Sequence, residues 1–264
     1  MSTVALGLAR GGIEVKQFFR SREQAVFTFA FPLLILTLLG SIFNRAYEGT
    51  GVTAAQVFTA SMVGAGIIST SFVNLTISVA ADRENGTLMR LRGTPLSAVS
   101  YFMGKIVLVA VASLGQAILV LGIGALLYDV HLPTSLDKWL TFGWVFVLAV
   151  VSCSMLGIAT SAIARSGQGA AAVANVPYVG LQFISGVYVG PITTLPVGMV
   201  TVASFFPIKW VCQGFRSVFL PDAMAKWEMA GTWELGRTAA VLGAWSVAGL
   251  VLCLLTFRWT SNRT

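Results

Sequence analysis

The chain alternates long apolar runs with short breaks that are charged or rich in proline. Six runs suit a bilayer core of about 30 Å, which takes roughly 20 apolar residues per helix. They are Ala25 to Phe43, Val57 to Ala81, Ile106 to Leu127, Trp139 to Ala164, Ala170 to Val189, and Thr238 to Phe257. The pattern predicts an all-α integral membrane protein of six transmembrane helices, with both termini on one side. A seventh run, Ile192 to Leu220, holds Pro196 and Pro207 with only ten residues between them, and carries Lys209 and Arg216. Ten helical residues cover about 15 Å, half the core. This run is therefore expected to form short re-entrant helices sheltered by protein, because irregular backbone facing lipid is too costly.

Ahead of the first span, residues 1–24 are expected to form an amphipathic helix along the inner headgroups. Leu8, Val15 and Phe19 fall on one side, with Gly11 and Gly12 between them, and Arg10, Glu14, Gln17 and Ser21 on another. Basic residues run to Arg22 and a full-length apolar run follows, so the stretch does not read as a cleavable leader. The largest polar gap, 190–236, holds Pro191, Pro196, Pro207 and Pro221 with Trp210, Trp227 and Trp233, tryptophans suited to the headgroup level. No repeat or soluble domain interrupts this pattern, so 1–264 is read as one membrane domain.

Composition agrees. Hydrophobic residues make up 56% of the chain and charged ones 10%, where soluble domains carry roughly a quarter charged. Charge also sets orientation. Arg10, Lys16, Arg20, Arg22, Arg83, Arg90, Arg92, Lys105, Arg165, Arg258 and Arg263 fall on one side with Glu14, Glu23, Asp82 and Glu84, eleven bases less four acids, or +7. The other side has six bases (Arg45, Lys138, Lys209, Arg216, Lys226, Arg237) and six acids (Glu48, Asp129, Asp137, Asp222, Glu228, Glu234) and is neutral. The first side, with both termini, is expected in the cytoplasm. The basic excess lies along membrane edges and suits lipid headgroups, with no nucleic-acid domain.

Little in the chain suggests chemistry. Cys153, Cys212 and Cys253 are odd in number and widely spaced, so neither a disulfide framework nor a zinc site is expected. His131 is the sole histidine. No Gly-x-Ser-x-Gly elbow occurs. The six runs hold no charged residue of the kind that ion-coupled carriers place in mid-membrane. Gly104-Lys105 resembles the end of a phosphate loop, but Ile106 stands where Ser or Thr is needed and Val99 where the first glycine should be. An enzyme or a self-powered transporter is not expected, and metal sites are expected to be none.

Between the second and third runs lies a polar island, Asp82-Arg83-Glu84-Asn85-Gly86-Thr87-Leu88-Met89-Arg90-Leu91-Arg92-Gly93-Thr94-Pro95-Leu96-Ser97. It is expected to form a short helix, a turn at Asn85-Gly86, and a second helix capped by Thr94 with Pro95 at its first position, running past Lys105 into the third span. A solvated loop obeying the positive-inside rule explains the arginines, but not the ordered acids, Gly-Thr-Leu and Thr-Pro-Leu-Ser. This order resembles the cytoplasmic coupling segment, at 82–105, of ABC exporter permeases of the second type, similar to the daunorubicin-resistance class of drug exporters. Ser185-Gly186-Val187-Tyr188-Val189-Gly190-Pro191, Leu195-Pro196 and Phe206-Pro207 extend the resemblance to the end of the fifth span and the outer re-entrant helices. The island departs from that pattern at Met89, often an acid, and at Arg90 and Arg92, which make it more basic.

The resemblance implies an ABC type-2 transmembrane domain in a bacterial plasma membrane that exports amphipathic or hydrophobic, drug-like compounds. Lipid or lipid-linked glycan export is the nearest alternative, and a non-transporting scaffold the alternative of another class. It implies no cofactor in this chain, with ATP and magnesium on a separate ABC ATP-binding subunit in two copies. A second permease chain, identical or paralogous, would complete the assembly. Coupling to the ATP-binding subunit would fall to Asp82, Arg83, Glu84, Gly86, Thr87, Leu88, Arg90, Arg92, Thr94 and Pro95.

Two uncharged polar tracks stand out within the runs. Ser71, Asn74 and Ser78 recur at spacings of three and four in the second, and Asn175, Tyr178, Gln182 and Ser185 do so in the fifth. Hydrogen bonds between helices explain them at roughly 0.6 kcal/mol a contact, as the pairs Gly186/Gly190 and Gly115/Gly122 suit helix packing. The resemblance implies instead that both tracks line a translocation cavity at a dimer interface.

Overall fold

The computed structural model describes residues 2–43, 45–94, 96–164, 166–188 and 191–256. Pro95, Arg165, Val189, Gly190, Phe257, Arg258 and Arg263, which carry expectations above, lie outside the described residues. Those described form an all-helical membrane protein. Five helices are long and apolar enough to cross a membrane: Arg22–Ile42, Ala54–Glu84, Ala98–Tyr128, Leu136–Ser161 and Leu235–Thr256.

The chain opens with α1 (Thr3–Arg20), capped by the Ser2 hydroxyl, which accepts from the Ala5 N–H at 3.2 Å. α2 (Arg22–Ile42) follows. A rod of 31 residues, about 46 Å at the helical rise, then runs through α3 (Ala54–Ile68), a π-helical segment (Ser69–Asn74) and α4 (Leu75–Glu84). A capping box between Thr53 and Gln56 starts the rod. In the π segment the backbone closes i→i+5 rings, and hydroxyls take up nearby carbonyls. Thr70 Oγ1 donates to Gly66 O, Ser71 Oγ to Ile67 O, and Thr76 Oγ1 to both Phe72 O and Gly157 O.

After α4 come a turn, α5 (Thr87–Arg92), α6 (Ala98–Tyr128), α7 (Leu136–Ser161) and α8 (Gly167–Ile184). α8 occupies the fifth expected crossing with 18 residues, about 27 Å. Two short helices follow, α9 (Val197–Ser204) and α10 (Pro207–Phe219), then a 3₁₀ turn (Asp222–Trp227) and α11 (Leu235–Thr256). α10 is about 20 Å long, too short to cross, and all thirteen of its residues are buried among α3, α7 and α11.

α3 with the π segment and α4 forms the axis: 72% of its apolar window is buried, against 17% for α2 and 22% for α11. Around it stand α2, α6, α7, α8 and α10. α7 reaches the π segment at Gly157, where a Cβ would lie 2.9 Å from Phe72 O. Only a glycine lets these backbones meet.

Three local expectations change. α1 packs along α6 through Gly7, Gly11, Glu14 and Phe18, so Glu14, expected on an outward polar face, is buried while Leu8 and Phe19 are exposed. Asp82-Arg83-Glu84 is the last turn of the axial rod rather than a separate short helix. Helix α6 is capped by Ser97, whose Oγ accepts from Ser100 N–H at 3.1 Å, while the Thr94 hydroxyl donates back to Leu91 O at 2.6 Å. The cap falls at the start of α6 because α5 ends at Arg92 and a turn follows at Gly93 and Thr94.

Candidate functional site

The end of α4 gathers one cluster of charges. Lys105, on α6, is buried and bonds Asp82 Oδ2 at 2.8 Å, Glu14 Oε2 at 3.0 Å and Ser78 Oγ at 2.8 Å. Asp82 also accepts from the Tyr101 hydroxyl at 2.8 Å, and Glu14 pairs with Arg10 one turn before it. A lysine so buried is sustained by paired carboxylates. Arg83 donates to Ser161 O at 2.7 Å and Glu84 accepts from Gly167 N–H at 2.9 Å.

Past Glu84 the chain reverses at Asn85-Gly86. Gly86 has φ +71°, the left-handed conformation that glycine adopts freely, and it opens α5. Thr87 and Leu88 begin that helix, Leu88 fully buried. Met89, Arg90 and Arg92 are exposed, and Arg90 donates to Asn85 O at 3.2 Å. Ten expected coupling residues thus divide. Asp82 and Arg83 face the spans, Glu84 bonds α8 while exposed, Gly86 and Thr87 are half-buried at the turn, Leu88 faces the core, and Arg90, Arg92 and Thr94 the surface; Pro95 lies outside the described residues.

A cleft of about 840 Å³ lies between α2 and α8, floored by α3 and the π segment. α2 contributes Gln24, Phe27, Thr28, Phe31 and Pro32, the floor Met62, Ala65, Ser69 and Asn74, and α8 Asn175, Tyr178 and Phe183. No charged side chain lines it. Pro32 and Pro177 each remove one intrahelical hydrogen bond from the flanking helices. Tyr178 donates its hydroxyl to Ala65 O at 2.8 Å, tying α8 to the floor, and Asn74 reaches Thr28 Oγ1 at 3.4 Å.

Of seven expected pathway residues, Asn74, Asn175 and Tyr178 line this cleft. Ser78 faces Lys105 instead, and Ser71 is buried on its own helix. Gln182 and Ser185 are fully buried, with side-chain polar atoms that form no hydrogen bond. Gly186 lies beyond α8 at φ +72°, so it forms no helical small-residue pair. The π segment explains the broken second track, since fewer degrees per residue carry Ser71 off the face of Asn74 and bring Ser69 onto it. The aromatic and polar wall of α2 falls outside both polar tracks. Its signal is Gln24, Thr28 and Pro32 among the phenylalanines of an otherwise apolar run.

The far end of the rod holds a second charged group. Arg216 grips Glu228 through two bonds, at 2.6 and 3.1 Å, both side chains buried, and reaches Ser61 Oγ at 3.3 Å. Lys209 lies 3.5 Å from the centre of the Trp210 ring and 3.7 Å from Glu234, which also pairs with Arg237 at 3.0 Å. Burial pushes the Lys209 ammonium down to about 8, against the opposing pull of Glu234 and Glu228. Among the described residues no cluster of His, Cys, Asp or Glu has the makeup of a metal site.

Residues 12–220 match the family described as ABC-2 type transporter. Two proteins named "Probable multidrug ABC transporter permease YbhR", from Escherichia coli strain K12 and from Escherichia coli O157:H7, are each 28% identical over 169 residues. The matched stretch covers 64% of this chain and 45% of the relative, less than half its length.

Proposed function

Because this chain belongs to the ABC-2 type transporter family, we propose that it is the permease of an ATP-driven exporter of amphipathic or hydrophobic compounds. It crosses the membrane six times, with α8 as the fifth crossing and α9 and α10 re-entrant from outside. Both termini and the elbow at 82–105 lie in the cytoplasm. Two copies, or one with a paralogue, stand on two ATP-binding subunits that grip the elbow. ATP and magnesium stay on those subunits.

The observation that carries the reading is the cleft. At about 840 Å³ it has the size of a small-molecule site. Phe27, Phe31, Phe183 and Tyr178 offer aromatic faces, while Gln24, Asn74 and Asn175 offer amides that orient a guest without charge. Such a lining favours planar compounds with few polar groups and penalises a bare anion, which would lose its hydration unpaired. α2 and α8 flank the cleft without forming a packed interface, so its side remains open.

The test uses the permease with its ATP-binding subunit in proteoliposomes, following ATP-driven movement of Hoechst 33342 and doxorubicin. Asn74→Ala and Phe31→Ala should change the preference between the dyes, and Thr28→Glu should abolish export of both. Unaltered export by Thr28→Glu would remove the cleft from the pathway. Wild-type vesicles that move lipid-linked glycan and neither dye would favour the glycan reading, and vesicles inert to ATP would favour a scaffold.

A further inference from the structure

We infer that Asp82, Arg83 and Glu84 form an internal hub that ties the elbow to three different helices, with Glu84 as the positioning residue that carries elbow movement to α8. The inference rests on the exporter reading and deepens it.

Three adjacent residues on a helix point about 100° apart. At the end of α4 this fan meets a different neighbour in each direction. Asp82 bonds Lys105 and Tyr101 on α6, and Lys105 brings in Glu14 of α1. Arg83 donates to the carbonyl of Ser161, the last residue of α7. Glu84 accepts from the N–H of Gly167, the first residue of α8. The signs fit both helices, since a cation suits the partial negative charge at a helix C-terminus and an anion the positive charge at an N-terminus. Arg83 and Glu84 thus hold the two ends that flank one short loop.

Partners that would otherwise be assigned to the ATP-binding subunit are therefore already used inside this chain. The elbow presents Met89, Arg90 and Arg92 of α5 outward, and Glu84, though bonded to Gly167, is itself exposed. A push on α5 turns the end of α4. That turn reaches α8 through Glu84, and α8 is one wall of the cleft.

Two properties make the link testable. Glu84→Ala removes the acceptor for Gly167 N–H, whereas Glu84→Gln keeps an acceptor oxygen without the charge. A covalent substitute is also at hand. A Cβ built on Gly167 lies 3.5 Å from Ala81 Cβ, within the range of disulfides. Ala81→Cys with Gly167→Cys, in a background where Cys153, Cys212 and Cys253 are alanine, should staple α4 to α8.

The readout is amide hydrogen exchange of the complex with its ATP-binding subunit, before and after trapping with ATP, magnesium and vanadate. In the wild type, trapping should change exchange both at the elbow (85–94) and in the first turns of α8 (167–172). In Glu84→Ala the elbow response should persist while the α8 response falls roughly fivefold. Glu84→Gln should fall between, and the oxidised staple added to Glu84→Ala should restore the response until it is reduced. A residue that merely stabilised the fold would shift exchange equally with and without nucleotide. An α8 response in Glu84→Ala as large as in the wild type, or one that the staple fails to restore, overturns the hub. A wild-type elbow that ignores trapping refutes instead the exporter reading on which the hub rests.

Discussion

The two ends of the axial rod both bury ions, and they do it in opposite ways. At the far end Arg216 and Glu228 are 12 residues apart and rely on each other, both nearly sealed from solvent. At the elbow end the bonds join residues from 4 to 91 apart, and Lys105, Asp82 and Glu14 each have more than one partner. A concentrated pair locks one local loop and is costly to break. A distributed network gives up less stability to any single change but connects α1, α4, α6, α7 and α8, so its loss is felt as lost communication. The contrast separates a fastening from a linkage.

The strongest test of that contrast is Arg216→Met, which leaves Glu228 buried and alone. It should destabilise the protein by about 3–5 kcal/mol, read as a fall in melting temperature in detergent. Arg216→Met with Glu228→Leu should recover most of the loss, because the unpaired charge is then gone. A double variant as unstable as the single one would mean the pair contributes through more than its ions.

Lys105→Met should cost less, about 2 kcal/mol, because Glu14 keeps Arg10 and Asp82 keeps the Tyr101 hydroxyl. Its larger effect should be on ATP-driven export, reversing the order set by stability. Export that merely tracks melting temperature in both variants would erase the distinction between the two ends.

A smaller effect concerns pH. The Lys209 ammonium is held near 8 in the fold, below the 10.5 of an unfolded lysine. Between those values the unfolded chain binds more protons, so stability should rise with pH across that window, and the cost of the buried charge is fully present below about 8. Melting temperature should therefore climb from pH 7.5 to 9.5 in the wild type and lose that climb in Lys209→Met. An equal climb in both would place the titrating group elsewhere. Smallest of all, Asp222→Ala should change stability by under about 0.5 kcal/mol, because Asp222 is exposed and its 3.5 Å partner Lys138 keeps its bond to Leu220 O.

Much of the fold was legible because long apolar runs have few alternatives in a membrane. The turn at Asn85-Gly86 was legible too, since its glycine takes a conformation other residues resist. The burial of Glu14 was not, because its reason is Lys105, 91 residues away. Two of the three polar positions in the second run and two of the four in the fifth lie off the cleft, for different causes. Ser71 was rotated off the cleft by the π segment, and Gln182 turned inward where spacing alone assigns no direction. The α2 wall escaped notice because its polar residues are few and only the partner helices show which side they share.

The π segment has a consequence for how the gene can change. Such a segment holds about one residue more than regular helix needs over the same stretch. Deleting one residue within 69–74 should therefore regularise the rod and leave the turn at Asp82-Arg83-Glu84 aimed at its three neighbours. Deleting one from the regular stretch of α4 should instead swing all three charges by about 100° and misdirect each of them. A one-residue change in length should thus be tolerated within 69–74 and not in the regular turns of α4.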